Sequence, residues 1–184
     1  MCVANPAAAH VVYGNTFRTK PREYWQWRVK NSEVGMSSLE MVRSRFESLN
    51  GIRAVAPDFI EKLEHELKVS LPSSFKLVGE FFDGSGIYVL PLHQIGWESP
   101  TNVLVETKRL RSSGPLSSNY LVLGEPAEGL IVMDCNSQLG QVLWCDAIDV
   151  NRIGKEALMT APEVWGSYLD FVEYLVSEEE SDRL

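Results

Sequence analysis

Residues 120–146 constrain this chain more than any other stretch. Three short runs, "YLVLGE" (120–125), "LIVMDC" (130–135) and "QVLWCD" (141–146), are rich in β-branched and aromatic side chains and are separated by turn residues, the pattern of an antiparallel meander. Pairing Cys135 with Gln141 across the five-residue turn "NSQLG" predicts Met133 opposite Leu143 and Ile131 opposite Cys145 on one face. Val132 opposite Trp144 and Asp134 opposite Val142 then share the other. Both faces are mostly apolar, whereas a sheet with one wet face alternates. Something must cover the second face: a helix, the aromatic N-terminal segment or a partner protein. In this register Cys135 and Cys145 stand roughly 13 Å apart at ~3.3 Å per residue, too far for a disulfide. Asp134, beside the turn, is placed to accept hydrogen bonds from loop amides, a structural role in preference to acid or base chemistry.

The flanking segments read mainly as helices. In "SSLEMVRSRFESLNG" (37–51), Ser37 and Glu40 form a capping box, Leu39, Val42, Phe46 and Leu49 recur at helical spacing, and Asn50-Gly51 is the stop. "PDFIEKLEHELKVSLP" (57–72) places Ile60, Leu63 and Leu67 on one side and leaves Glu61, Glu64, His65 and Glu66 largely outside. Ser73 or Ser74 is expected to cap a short helix carrying Phe75, Val78 and Phe82, closed by the "DGSG" turn at 83–86. A strand over 86–92 and a helix from Thr101 to Leu110 precede the meander. A helix over 162–180 follows it, with the acidic "EEESD" frayed. The expectation is an α+β fold, a mainly antiparallel sheet with helices packed on one face. Its parts are an N-terminal extension (1–36), a single domain (37–178) and an acidic tail (179–184).

Charge narrows the function classes. The net charge of −8 hides an asymmetry: residues 1–60 hold eight Lys/Arg against five Asp/Glu, and residues 61–184 hold nine against twenty. An acidic body repels the phosphate backbone, so no nucleic acid is expected for it, whereas a basic protein would be attracted. "FRTKPREYWQWRVK" (17–30) interleaves five cations with four aromatics, a composition that could stack bases but more commonly packs an extension onto its own domain. Three cysteines without a CxxC pair fit a reducing compartment. With no signal-like leader and no apolar run of about 20 residues, a cytoplasmic, non-membrane protein is expected.

No constellation reads as a reaction centre. His10, His65 and His93 are far apart with no HxH or HxxxH spacing, so neither a metal nor a cofactor is expected. "GSG" at 84–86 follows a helix and precedes an extended run, the reverse of a nucleophile elbow. The chain is expected not to be an enzyme.

Taken together, Leu63, Glu64, Leu67, Leu71, Pro72 and Phe75, then Gly84, then Gly129, Ile131 and Asp134, then Gly140 and Val142, then Ser167, Tyr168, Phe171 and Val172 resemble in order and spacing the Smi1/Knr4 (SUKH) family over roughly residues 57–176. Two positions depart: Lys68 stands where the family often has Gly, and Asp83-Gly84-Ser85-Gly86 replaces an Asn-Gly-Gly turn. The resemblance implies a SUKH-like fold and a protein-binding role, in bacterial members an immunity protein that neutralises a polymorphic or contact-dependent toxin, frequently a nuclease or deaminase. The implied partner is a cognate toxin domain, expected to be basic, met on the uncovered side of the sheet by Trp97, Glu98, Glu125, Glu128, Asp146 and Asp149. The alternatives are a regulatory scaffold module and, through residues 17–30, a nucleic-acid-binding module.

Overall fold

The computed structural model describes residues 37–184 other than Glu98, Pro115 and Glu128. The readings made on residues 1–36, including the 17–30 stretch, Cys2 and His10, lie outside the described residues. Helix α1 (Ser38–Asn50) begins in the expected Ser37–Glu40 capping box and buries Met41, Val42 and Phe46. Helix α2 (Pro57–Leu67) buries Phe59, Leu63 and Leu67, and ends on Lys68, whose φ of 54° is left-handed. That conformation is one that glycine adopts without strain and lysine only rarely.

The Leu-Pro corner is tied by Glu64, which accepts from the Leu71 amide at 2.7 Å and from Lys76 Nζ at 2.8 Å and so is half-buried instead of free on the outer face. Helix α3 (Ser73–Val78) follows with Pro72 at its N-cap, and neither serine caps it. Ser74 Oγ donates to the Leu139 carbonyl instead, at 2.7 Å. The 83–86 turn forms as read, with Gly84 and Gly86 at φ 85° and 82°. Residues 86–92 do not form the expected strand. Their backbone bends at Gly86, Val89 and Leu90 and makes one isolated bridge, Leu92 to Gly124, and the Tyr88 amide goes to a glutamate side chain on the last helix.

Helix α4 (Val103–Ser112), capped by Asn102, leads to a four-stranded antiparallel sheet of β1 (Tyr120–Gly124), β2 (Gly129–Asp134), β3 (Val142–Asp146) and β4 (Glu163–Trp165), in sequence order. The α+β architecture is therefore as expected, with β4 and a one-residue register shift as corrections. Met133 pairs with Val142, Val132 with Leu143, Ile131 with Trp144 and Leu130 with Cys145. The cause lies at the turn. The hairpin closes from the Asp134 amide to the Gln141 carbonyl at 2.8 Å, so Asp134 and not Cys135 stands opposite Gln141, while the Cys135 amide faces the other way and continues the β1–β2 pairing to the Asn119 carbonyl at 2.9 Å. Asp134 Oδ1 accepts from the Asn136 amide and from Asn119 Nδ2, both at 2.9 Å, the turn-bonding role read from the sequence.

Val132 and Trp144 therefore point to opposite faces. Ile131, Met133, Val142 and Trp165 meet the helices in the larger core, while Val132, Leu130 and Cys145 form a second core with Leu116 and Ile153, edged by Leu110, Val150 and Leu158. The chain covers its own second face, through the end of α4 and the 3-10 helix Ala147–Arg152 with the loop after it. Among the described residues the second face of β1 and β2 is covered by the chain itself, a correction to the uncovered side supposed from sequence, while Val164 on β4 stays 48% exposed. The two buried cysteines are free and sit in different cores.

Residues 163–165 pair with β3 instead of starting a helix, and α5 (Tyr168–Asp182) begins after the Ser167 cap. The acidic end is docked, not frayed. Glu179 is buried and accepts from the Tyr88 amide at 2.8 Å and from Arg183 Nε at 3.0 Å, while Arg183 also donates to the Leu49 carbonyl and Asn50 Oδ1. Among the described residues no helix is long and apolar enough to cross a membrane.

Candidate functional site at the loop end of the sheet

One end of the sheet gathers the β1–β2 turn, the last residue of β3 and the segment 92–102. Gly124 bridges Leu92, Gln94 bridges Asn102, and Asp146 pairs with Gly129. Two of the residues singled out from sequence are thereby brought to this end, Glu125 in the β1–β2 turn and Asp146 closing β3, while Trp97, in the 94–102 loop, packs against α2. Glu98 and Glu128 lie outside the described residues.

Trp97 is contacted on two sides yet remains 45% exposed. Its ring meets Phe59 edge-on, with centroids 4.4 Å apart, and Lys62 Nζ lies 3.9 Å from the indole centroid. An aromatic fixed on two sides and open on the rest suits an interface anchor, since little rotamer freedom is left to lose on binding. Asp146 is exposed and caps the 3-10 helix by accepting from the Ile148 amide at 3.0 Å.

Asp149 leaves the candidate surface. It is fully buried and accepts from the Met159 amide at 2.8 Å, the Thr160 amide at 2.9 Å and Thr160 Oγ1 at 2.7 Å. The Met159 amide, then the Thr160 bonds and nearby Arg152, hold its carboxyl below the usual range against the opposing effect of burial. Its work is to clamp the 147–160 segment over the second core.

Glu125 belongs to a charged cluster that sequence reading missed. Arg109 donates to both oxygens of Glu125 and to Glu106, one helical turn earlier on α4. His93 Nε2 lies 3.8 Å from Glu125 Oε2. Apart from the i,i+3 spacing of Glu106 and Arg109, nothing in the sequence links these residues, because Leu92–Gly124 bridging assembles them.

Burial pushes the His93 imidazole below its ordinary value; Glu125 and Glu106 oppose this and Arg109 adds to it. A histidine with a lowered folded pKa binds fewer protons folded than unfolded, so stability rises with pH across its titration. The contribution is complete above the unfolded value of about 6.5 and is lost as pH falls toward the folded one. Urea midpoints measured at pH 7.5 and 5.5 should therefore fall more for the wild type than for His93→Gln. Equal falls would remove His93 from the pH response.

Burial pushes the Cys135 thiol up to about 12 and the Cys145 thiol up to about 11, which keeps both protonated at neutral pH. No protein-family model matches the chain, and no curated protein matches it in sequence.

Proposed function

We propose that this chain is a cytoplasmic immunity protein of the Smi1/Knr4 (SUKH) type that neutralises a basic toxin domain by direct binding and carries out no catalysis itself. The observations that support this reading are Trp97, 45% exposed on its loop and braced by Phe59 and Lys62, and the carboxylates Glu125 and Asp146 at the loop end of the sheet, on a body rich in acidic residues. An exposed aromatic anchor provides binding energy, and the acidic balance of the body speeds encounter with a cationic surface and selects against other partners.

The residues of the family resemblance support the reading through the jobs they hold in the fold. Leu63, Leu67, Leu71 and Phe75 build the core beneath the Leu-Pro corner. Glu64 ties that corner, Asp134 ties the hairpin turn, and Ser167 caps the last helix through the Asp170 amide at 3.0 Å. Such a motif set specifies a scaffold and leaves its loops free to vary with the partner.

Growth rescue is the test. Co-expression with the toxin encoded beside this gene should restore growth. Trp97→Ala should weaken the toxin complex by about 2 kcal/mol, or about thirtyfold in Kd, while the thermal transition stays close to that of the wild type. No rescue by the wild-type chain from the product of either neighbouring gene would refute the reading.

A further inference from the structure

A ring nitrogen of His93 and one carboxylate oxygen each from Glu106 and Glu125 lie within 4.8 Å of one another. They come from three separate segments: the stretch before the 94–102 loop, α4 and the β1–β2 turn. His93 Nε2 is shielded from solvent and has no hydrogen-bond partner, and its approach of 3.8 Å to Glu125 is beyond hydrogen-bonding reach. A shielded ring nitrogen without a partner beside two carboxylates is a place where a metal ion would satisfy both kinds of donor. Arg109 supplies the charge, but its bonds go to Glu106 and Glu125.

We propose that His93, Glu106 and Glu125 bind a divalent metal ion of the zinc class, with the Arg109 guanidinium standing in for the ion when it is absent. One imidazole and two carboxylates are a zinc-type donor set. Calcium takes six or more oxygens and magnesium keeps an octahedral oxygen shell, so the imidazole disfavours both. Metal–ligand bonds of about 2.0–2.1 Å put tetrahedral ligands roughly 3.4 Å apart. Rotation of the two glutamates supplies the required closure once Arg109 withdraws. Its side chain is 51% exposed, so it can move into water without disturbing α4. The ion would staple the segments that carry Trp97 and Glu125, and the proposal is independent of the partner-binding reading.

Calorimetric titration of the full chain with zinc chloride at pH 7.5 tests this, using the wild type, His93→Ala, Glu125→Ala and Arg109→Gln. One zinc per wild-type chain is expected, with at least about tenfold weaker binding in His93→Ala and Glu125→Ala. Arg109→Gln should bind more tightly than the wild type, because its competing cation is gone. Zinc should also raise the wild-type Tm, and raise it less in the two ligand variants. If His93→Ala does not fold, the turn variant Glu125→Ala decides the matter. Absence of zinc binding in both the wild type and Arg109→Gln overturns the proposal, as does binding left undiminished by the ligand substitutions.

Discussion

Phe75→Ala is expected to destabilise the fold by about 3–5 kcal/mol, the usual cost of truncating a fully buried phenylalanine. The ring is completely buried and packs against Tyr168, centroids 4.8 Å apart, joining α3 to α5. Helix α3 has only six residues, of which Phe75 and Val78 are buried, and a helix this short has no independent stability. It survives because those side chains are anchored. Loss of the ring should lower Tm by about 10 °C. It should also speed hydrogen exchange in the 135–141 loop, whose Leu139 carbonyl is held by Ser74 Oγ and the Tyr168 amide. A change below about 1 kcal/mol, with exchange in that loop unaltered, would mean that the ring is not the anchor.

Gly129→Ala is expected to cost about 3 kcal/mol, at the upper end of overpacking effects. The reason is contact, not conformational freedom. A Cβ there would lie 2.4 Å from the Cys145 carbonyl oxygen and 2.8 Å from Trp144 Nε1, so either the β2–β3 ladder or the indole must shift. Gly96→Ala is the matched control: its nearest neighbour would be 4.0 Å away, and a change within about 0.5 kcal/mol is expected. Denaturant melts of the two variants give the comparison directly. Equal stabilities would show that the strand start yields easily.

Much of the fold is legible in the sequence because its signals are local. The Ser37–Glu40 box, the apolar stripe of α2 and the three meander runs each carry their own periodicity, and each forms as read. The misreadings arise where a distant group decides. The hairpin closes at Asp134–Gln141 instead of Cys135–Gln141, a turn one residue longer than read, which puts Trp144 on the opposite face from Val132. Glu163–Trp165 is too short for helical and strand spacing to differ, and pairing with β3 settles it. The acidic C-terminal run reads as a solvated tail until Tyr88 and Arg183 supply partners for Glu179.

The candidate site divides in the same way. An exposed tryptophan in a loop is visible as a composition cue, and Trp97 stays accessible in the fold. Asp149 looks like another loop acid, yet its bonds run ten and eleven residues ahead, to Met159 and Thr160, and draw it fully inside. His93, Glu106, Arg109 and Glu125 are assembled only by tertiary pairing, and no spacing rule connects them.

Direct binding to the toxin is the measurement closest to the functional reading. Calorimetric titration of the purified full chain with the purified, catalytically inactivated toxin from the adjacent open reading frame should give a 1:1 complex with Kd on the order of 10 nM or tighter. Its association rate should fall steeply with added salt, as expected for an acidic protein meeting a basic partner. Absence of a heat signal, with the two proteins eluting separately on size exclusion, would contradict neutralisation by direct binding.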